Sequence, residues 1–241
     1  EGLNGTVNIT VDNKNYTVNL TNGVGSVVVP GLNAGNYTAK IKYLGNYNYF
    51  GSNITVNFNV GKHNSTIIAS IVNITYGENA TVNVNVTGID NEGLNGTVNI
   101  TVDNQNYNVT LINGVGSVVV SGLNAGNYVA EIKYLGNDNY FESNATVNFN
   151  VGKHNSTTGA SIADIIYGEN ATVNIIVSGI NGTDLSGNVT VIVDGVSWNG
   201  AVNSVGVGSV VVPGLNAGNY TAEIKYMGND NYFESNATVN F

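Results

Sequence analysis

The chain has 241 residues, a formal net charge of −9, and a composition led by asparagine (45 positions), glycine (31), valine and threonine. It has no cysteine, no arginine and seven lysines. That excludes disulfide frameworks, thiol nucleophiles and Cys-ligated metals, and argues against a nucleic-acid partner, which needs clustered cations. No apolar run approaches the ~18 residues of a membrane-spanning helix, and no signal peptide is visible at Glu1.

The chain is a repeat, and repeats decide the architecture. The segment Glu1–Val7 returns at Glu92–Val98 and Gly61–Ser65 returns at Gly152–Ser156, both at an offset of 91. Tyr76-Gly77-Glu78-Asn79 returns at Tyr167–Asn170. Leu-Asn-Ala-Gly-Asn-Tyr occurs at Leu32, Leu123 and Leu215, and the last interval of 92 places one inserted residue between Trp198 and Gly206. Three units follow: a partial one at 1–65 that lacks its first two strands, a complete one at 66–156, and one at 157–241 that stops at the end of its last strand. Such bounds suit an excerpt from a longer array, or a subunit whose gap a neighbour fills.

In chain order through the complete unit, a first strand from Thr66 leads to a turn at Tyr76-Gly77-Glu78-Asn79. Val82, Val84 and Val86 then alternate with Thr81, Asn83 and Asn85. After a loop at Asp90-Asn91-Glu92, Val98, Ile100 and Val102 alternate with Asn99 and Thr101, and Asp103-Asn104 ends that strand. Asn113-Gly114 is a two-residue hairpin signal, because both positions tolerate positive φ. Gly136-Asn137-Asp138-Asn139 closes the hairpin before the last strand, in which Val147, Phe149 and Val151 alternate with asparagine. The period is two throughout, as in half-buried antiparallel strands, and helix-period stretches are absent. Seven strands in about 91 residues predict an all-β chain of tandem immunoglobulin-like antiparallel sandwiches, arranged end to end. The repeated hexapeptide puts Tyr37, Tyr128 and Tyr220 at the start of the sixth strand. There a tyrosine corner turns its hydroxyl back onto upstream backbone.

The strings Tyr76–Asn79, Leu123–Tyr128 and Tyr134-Leu135-Gly136-Asn137-Asp138-Asn139-Tyr140 carry a family resemblance over essentially the whole chain. The units resemble the bacterial immunoglobulin-like repeats of group 3, especially the asparagine-rich versions in adhesin-like surface proteins of methanogenic archaea. The antibody Cys–Trp–Cys core is missing, so the likeness to antibody domains is architectural. The resemblance implies spacer and presentation roles at the cell surface. The first copy departs from the pattern at Asn46-Tyr47-Asn48-Tyr49, where Tyr47 replaces the aspartate of the other copies, and Trp198 replaces the equivalent of Tyr107.

About twenty Asn-x-Ser/Thr triplets make N-glycosylation the first candidate chemistry. Among them are Asn4, Asn36, Asn64, Asn79, Asn144, Asn155, Asn170, Asn219 and Asn236. Strand alternation turns the Asn and Thr faces outward, and even without glycans they form a polar, uncharged coat. Either way the chain is expected outside the cell.

Acidic loops at Asp90, Glu92, Asp138 and Glu142 could supply several of the six to eight oxygens that calcium takes. Lys62 and His63 in the linker put a cation at that pole, however. The favoured reading is a weak interdomain ion pair of Lys62 with Asp138 or Glu92, repeated by Lys153 and Asp230, with no cofactor required. Lys42, Lys133 and Lys225 alternate with inward residues and so face outward, which disfavours isopeptide cross-links. The aromatic tips, Tyr140 and Tyr232 above all, are candidates for stacking on glycans. His63 and His154 sit in linkers without a nucleophile, and no carboxylates converge, so catalysis is not expected.

The predicted function is a rod-like, extracellular adhesin stalk or spacer whose partners are neighbouring repeats. An alternative is a self-assembling filament or envelope lattice of identical chains, in which strand complementation fills the incomplete first unit. A third reading is a glycan-binding module that engages host-cell or surface glycans.

Overall fold

Strands that alternate valine with asparagine or threonine have one apolar and one polar face, and a second sheet must cover the apolar one. In the computed structural model, which describes residues 2–241, this cover differs between the three units.

In the first unit, β1 (Gly5–Val11), β2 (Lys14–Leu20), β3 (Gly35–Tyr43) and β4 (Ser52–Val60) form one antiparallel sheet of order β2-β1-β3-β4. The second unit holds β5 (Thr66–Ser70), β6 (Ile74–Thr75), β7 (Ala80–Thr87), β8 (Gly96–Val102), β9 (Gln105–Leu111), β10 (Val115–Val120), β11 (Gly126–Tyr134) and β12 (Ser143–Gly152). A sheet of order β10-β7-β5 faces one of order β6-β12-β11-β8-β9. A 3₁₀ turn at Ile89–Asn91 occupies the loop after β7.

The third unit comprises β13 (Thr157–Ile162), β14 (Ala171–Ser178), β15 (Gly187–Val193), β16 (Val196–Val202), β17 (Val207–Val212), β18 (Thr221–Tyr226) and β19 (Ser235–Asn240). They run as one sheet, β13-β14-β17-β16-β15-β18-β19. The sheet folds back on itself until the Thr158 and Ser235 hydroxyls lie 2.6 Å apart across β13 and β19. The fold is therefore a tandem array of immunoglobulin-like β-sandwiches, the first of them built from a single sheet.

Two turn readings separate here. Asp103 (φ 48) and Asn104 (φ 59) make the left-handed two-residue turn that joins β8 to β9 as a true hairpin. The Asn113-Gly114 turn also forms, with Ile112 and Val115 exchanging hydrogen bonds of 3.1 Å. Beyond it, though, β9 and β10 diverge into opposite sheets. The hairpin signal predicted the local geometry correctly but not the strand pairing, because β10 takes β7 as its partner.

The first unit makes the same point in reverse. Val24–Val29 has the sequence of β10, Val-Gly-Ser-Val-Val-Val, yet forms no regular strand, and Val28 is 85% exposed. Five strands were expected there and four are present. The β10 segment extends because β7 hydrogen-bonds to it, and no β7 equivalent stands beside Val24–Val29. Strand propensity is largely a matter of context.

Each sandwich has its own core. Val82, Val84, Val98, Ile100, Ile132 and Tyr134 are buried in the second unit, and Val173, Ile175, Val189, Val191, Ile224 and Tyr226 in the third. Tyr76 packs against both cores.

Candidate functional site

The structure concentrates its repeated side-chain chemistry at the junctions between units. The linker after β4 runs beside the loop between β11 and β12. The His63 N–H donates to the Asn139 carbonyl at 2.9 Å, and the Phe141 N–H donates to the His63 carbonyl at 2.8 Å. At the second junction the His154 N–H donates to the Asn231 carbonyl at 2.9 Å and the Phe233 N–H to the His154 carbonyl at 3.0 Å.

That pairing carries the Asn139 side chain to the loop before β3. The Ala34 N–H donates to Asn139 Oδ1 at 2.8 Å, and Asn139 Nδ2 donates to Asn33 Oδ1 at 3.0 Å. Asn231 repeats the clamp on Ala125 N–H at 2.8 Å and Asn124 Oδ1 at 3.1 Å. Each loop is shaped from within. Asn137 Oδ1 accepts the N–H groups of Asn139 and Tyr140, both at 2.9 Å, and Asn229 does the same for Asn231 and Tyr232. None of these asparagines was singled out as a contact from sequence. The available signal was the Asn-Ala inside the thrice-repeated hexapeptide, together with the recurrence of Asn48, Asn139 and Asn231 beside a variable neighbour, Tyr47 or aspartate.

The lysines sit at the junctions but find carbonyls, not carboxylates. Lys62 Nζ donates to the Asn137 carbonyl and Lys153 Nζ to the Asn229 carbonyl, each at 2.6 Å. The expected Lys62 pairing with Asp138 or Glu92 is absent, because the adjacent linker holds the ammonium over the backbone. Glu92 turns inward and accepts a hydrogen bond from the Tyr140 hydroxyl of its own unit. Asp138 and Asp230 stay exposed on the loop. The ion pair found among the described residues is Lys133–Glu142 at 2.9 Å, an exposed contact within one unit.

The tyrosine tips are also corrected. Tyr140 is buried and Tyr232 fully so. The Tyr232 hydroxyl accepts the Ile180 N–H at 2.9 Å and also hydrogen-bonds to the Thr183 hydroxyl. Neither ring offers a face to a sugar, since each closes the end of its core under the loop after β7 or β14. Phe141 and Phe233, their neighbours, are the exposed members of the two pairs.

The Tyr37, Tyr128 and Tyr220 hydroxyls donate to the carbonyls of Asn33, Asn124 and Asn216 at 2.9, 3.0 and 3.1 Å. Their rings stack on Phe58, Phe149 and Phe241. The corner thus braces the loop that carries the clamp's acceptor. Burial pushes the Tyr128 phenol above its ordinary pKa, with Asp103 adding to the effect.

The nine named sequon asparagines, from Asn4 to Asn236, are all exposed. Asn4 and Asn36 already accept hydrogen bonds, from the Asn22 N–H and from Asn59 Nδ2. Lys42, Lys133 and Lys225 face solvent. Among the described residues, no three histidine or acidic side chains converge as metal ligands would. Nor is any helix long and apolar enough to cross a membrane.

No protein-family model and no curated protein matches the chain. Among solved structures, it is similar to a two-domain fibronectin type III segment of chicken tenascin, at 14% identity and a TM-score of 0.43, covering 72% of this chain and 97% of that one. It is similar to fibronectin(III)-like modules of Clostridium thermocellum CbhA, at 14% identity and a TM-score of 0.32, covering 73% and 92%. A Ca2+-stabilized adhesin of an Antarctic bacterium that binds ice matches at 18% identity and a TM-score of 0.35, covering 98% and 64%. At these values the likeness is one of sandwich architecture alone.

Proposed function

We propose that this chain is a rod-forming segment of an extracellular, adhesin-like cell-surface protein, in which it acts as a spacer that holds a distal part away from its anchor. One observation carries the reading: the same set of hydrogen bonds joins the first unit to the second and the second to the third. A connection built twice from the same atoms sets the same step twice, and repeated steps make a rod. The asparagine- and threonine-rich outer faces, with nine exposed sequons, suit an N-glycosylated, hydrophilic stalk like those of the archaeal surface repeats that the sequence resembles. Mechanical extension needs neither cofactor nor catalytic group.

Small-angle X-ray scattering tests the shape. A radius of gyration well above the ~18 Å of a single globule of this length is expected. A value near ~18 Å would retire the spacer reading. Intact mass of material from native cells tests glycan occupancy.

A further inference from the structure

The proposal concerns what sets the angle between successive units, and it rests on the spacer reading. We infer that Asn139 and Asn231 are orientation latches: each carboxamide locks its own unit onto the loop before β3 or β11 of the preceding unit. The same surface fits one kind of partner, a further unit of this repeat joined in tandem.

The chemistry favours a carboxamide. The preceding loop offers one donor, the Ala34 or Ala125 N–H, and one acceptor, Asn33 or Asn124 Oδ1. A single asparagine matches both, and a bidentate match fixes direction as well as distance. The linker contacts do less. A backbone pairing at His63 or His154 is a hinge, which still lets a unit swing about the strand axis. The clamp is the second point of attachment, on another loop, and two separated points remove that freedom. Both clamp residues are half-buried, whereas Asn48, their counterpart in the first unit, is exposed.

Both halves of the latch also occur unmatched. In the first unit, Asn46 Oδ1 accepts the N–H groups of Asn48 and Tyr49 at 2.9 and 3.0 Å, so the loop is already shaped although the Asn48 carboxamide has no hydrogen-bond partner among the described residues. In the third unit, the Tyr220 hydroxyl braces the loop at Asn216, while Ala217 is exposed where Ala34 and Ala125 are half-covered. These halves are complementary to each other, and their use at both internal junctions shows how they would engage a neighbouring unit.

The absence of cysteine allows specific spin labelling. Thr55, Thr146 and Thr238 are exposed, equivalent positions in the three units. Double electron–electron resonance on Thr55→Cys/Thr146→Cys and on Thr146→Cys/Thr238→Cys should give one narrow distance each. Asn139→Ala should broaden the first distribution and leave the second narrow, and Asn231→Ala should do the reverse, with the circular dichroism spectrum unchanged. Narrow distributions in both variants would overturn the latch while leaving the rod intact. Broad distributions in the parent chain would count against the latch and the rigid rod together.

A chain extended past Phe241 by a second copy of residues 150–241 tests the partner. Amide exchange at Ala217 should slow in the extended chain. Unchanged exchange there would overturn the assignment.

Discussion

Tyr76 of the second unit packs edge-on against Tyr232 of the third, with ring centroids 5.6 Å apart and planes at 80°. His154 of the linker approaches the same ring at 6.0 Å. A buried core tyrosine of one unit is thus covered by aromatic groups from outside it, so the third core is completed by its predecessor. Tyr167, the equivalent of Tyr76, is 77% exposed.

This contrast predicts a position-dependent effect. Tyr76→Ala removes an aromatic pair worth about 0.5–1.5 kcal/mol beyond its area and should lower the urea midpoint of the third unit. Tyr167→Ala should stay within about 0.5 kcal/mol of the parent, as exposed substitutions do. Equal effects from the two would contradict a core shared across the junction.

Tyr232→Phe keeps the ring and removes the hydroxyl that accepts the Ile180 N–H. Leaving that amide without its partner should cost about 1–3 kcal/mol, read by chemical denaturation. Because the ring is buried, neither this change nor Tyr140→Phe should alter the response of the chain on a glycan array.

Alkaline pH should destabilise the protein. The Tyr140 phenol is held above its ordinary pKa by its hydrogen bond to Glu92 and by burial, and burial raises those of Tyr134 and Tyr226. The folded state therefore keeps these protons to higher pH than the unfolded chain does. The unfolded chain binds fewer protons above its own tyrosine pKa of 10.0, so stability is complete below that pH and declines as pH rises through the folded values. Urea midpoints between pH 8 and 11 should be flat at first and then fall. A midpoint that rises above pH 10 would contradict this assignment.

The first unit should be the weakest. Amide hydrogens of Val24–Val29 should exchange far faster than those of Val115–Val120, which share their sequence but pair with β7. Matching protection at the two segments would show that the strand forms without its partner.

Much of this architecture was legible in residues alone. The 91-residue offset, the alternation at Val82–Val86 and Val98–Val102, and the Leu-Asn-Ala-Gly-Asn-Tyr string specify strands, units and corner tyrosines. These are local signals: a period of two follows from backbone geometry, and left-handed turns from small polar side chains and glycine. What only the tertiary structure decided was partnership. Identical Val-Gly-Ser-Val-Val-Val segments are strand or irregular according to whether β7 lies beside them. Tyr140 and Tyr232 are capped by loops roughly fifty residues upstream, so their position at a turn did not mean exposure. Asn33 and Asn139, more than a hundred residues apart, meet because the linker threads past His63. Sequence determines what each side chain can offer, but which group receives it depends on long-range packing, and no local pattern records that.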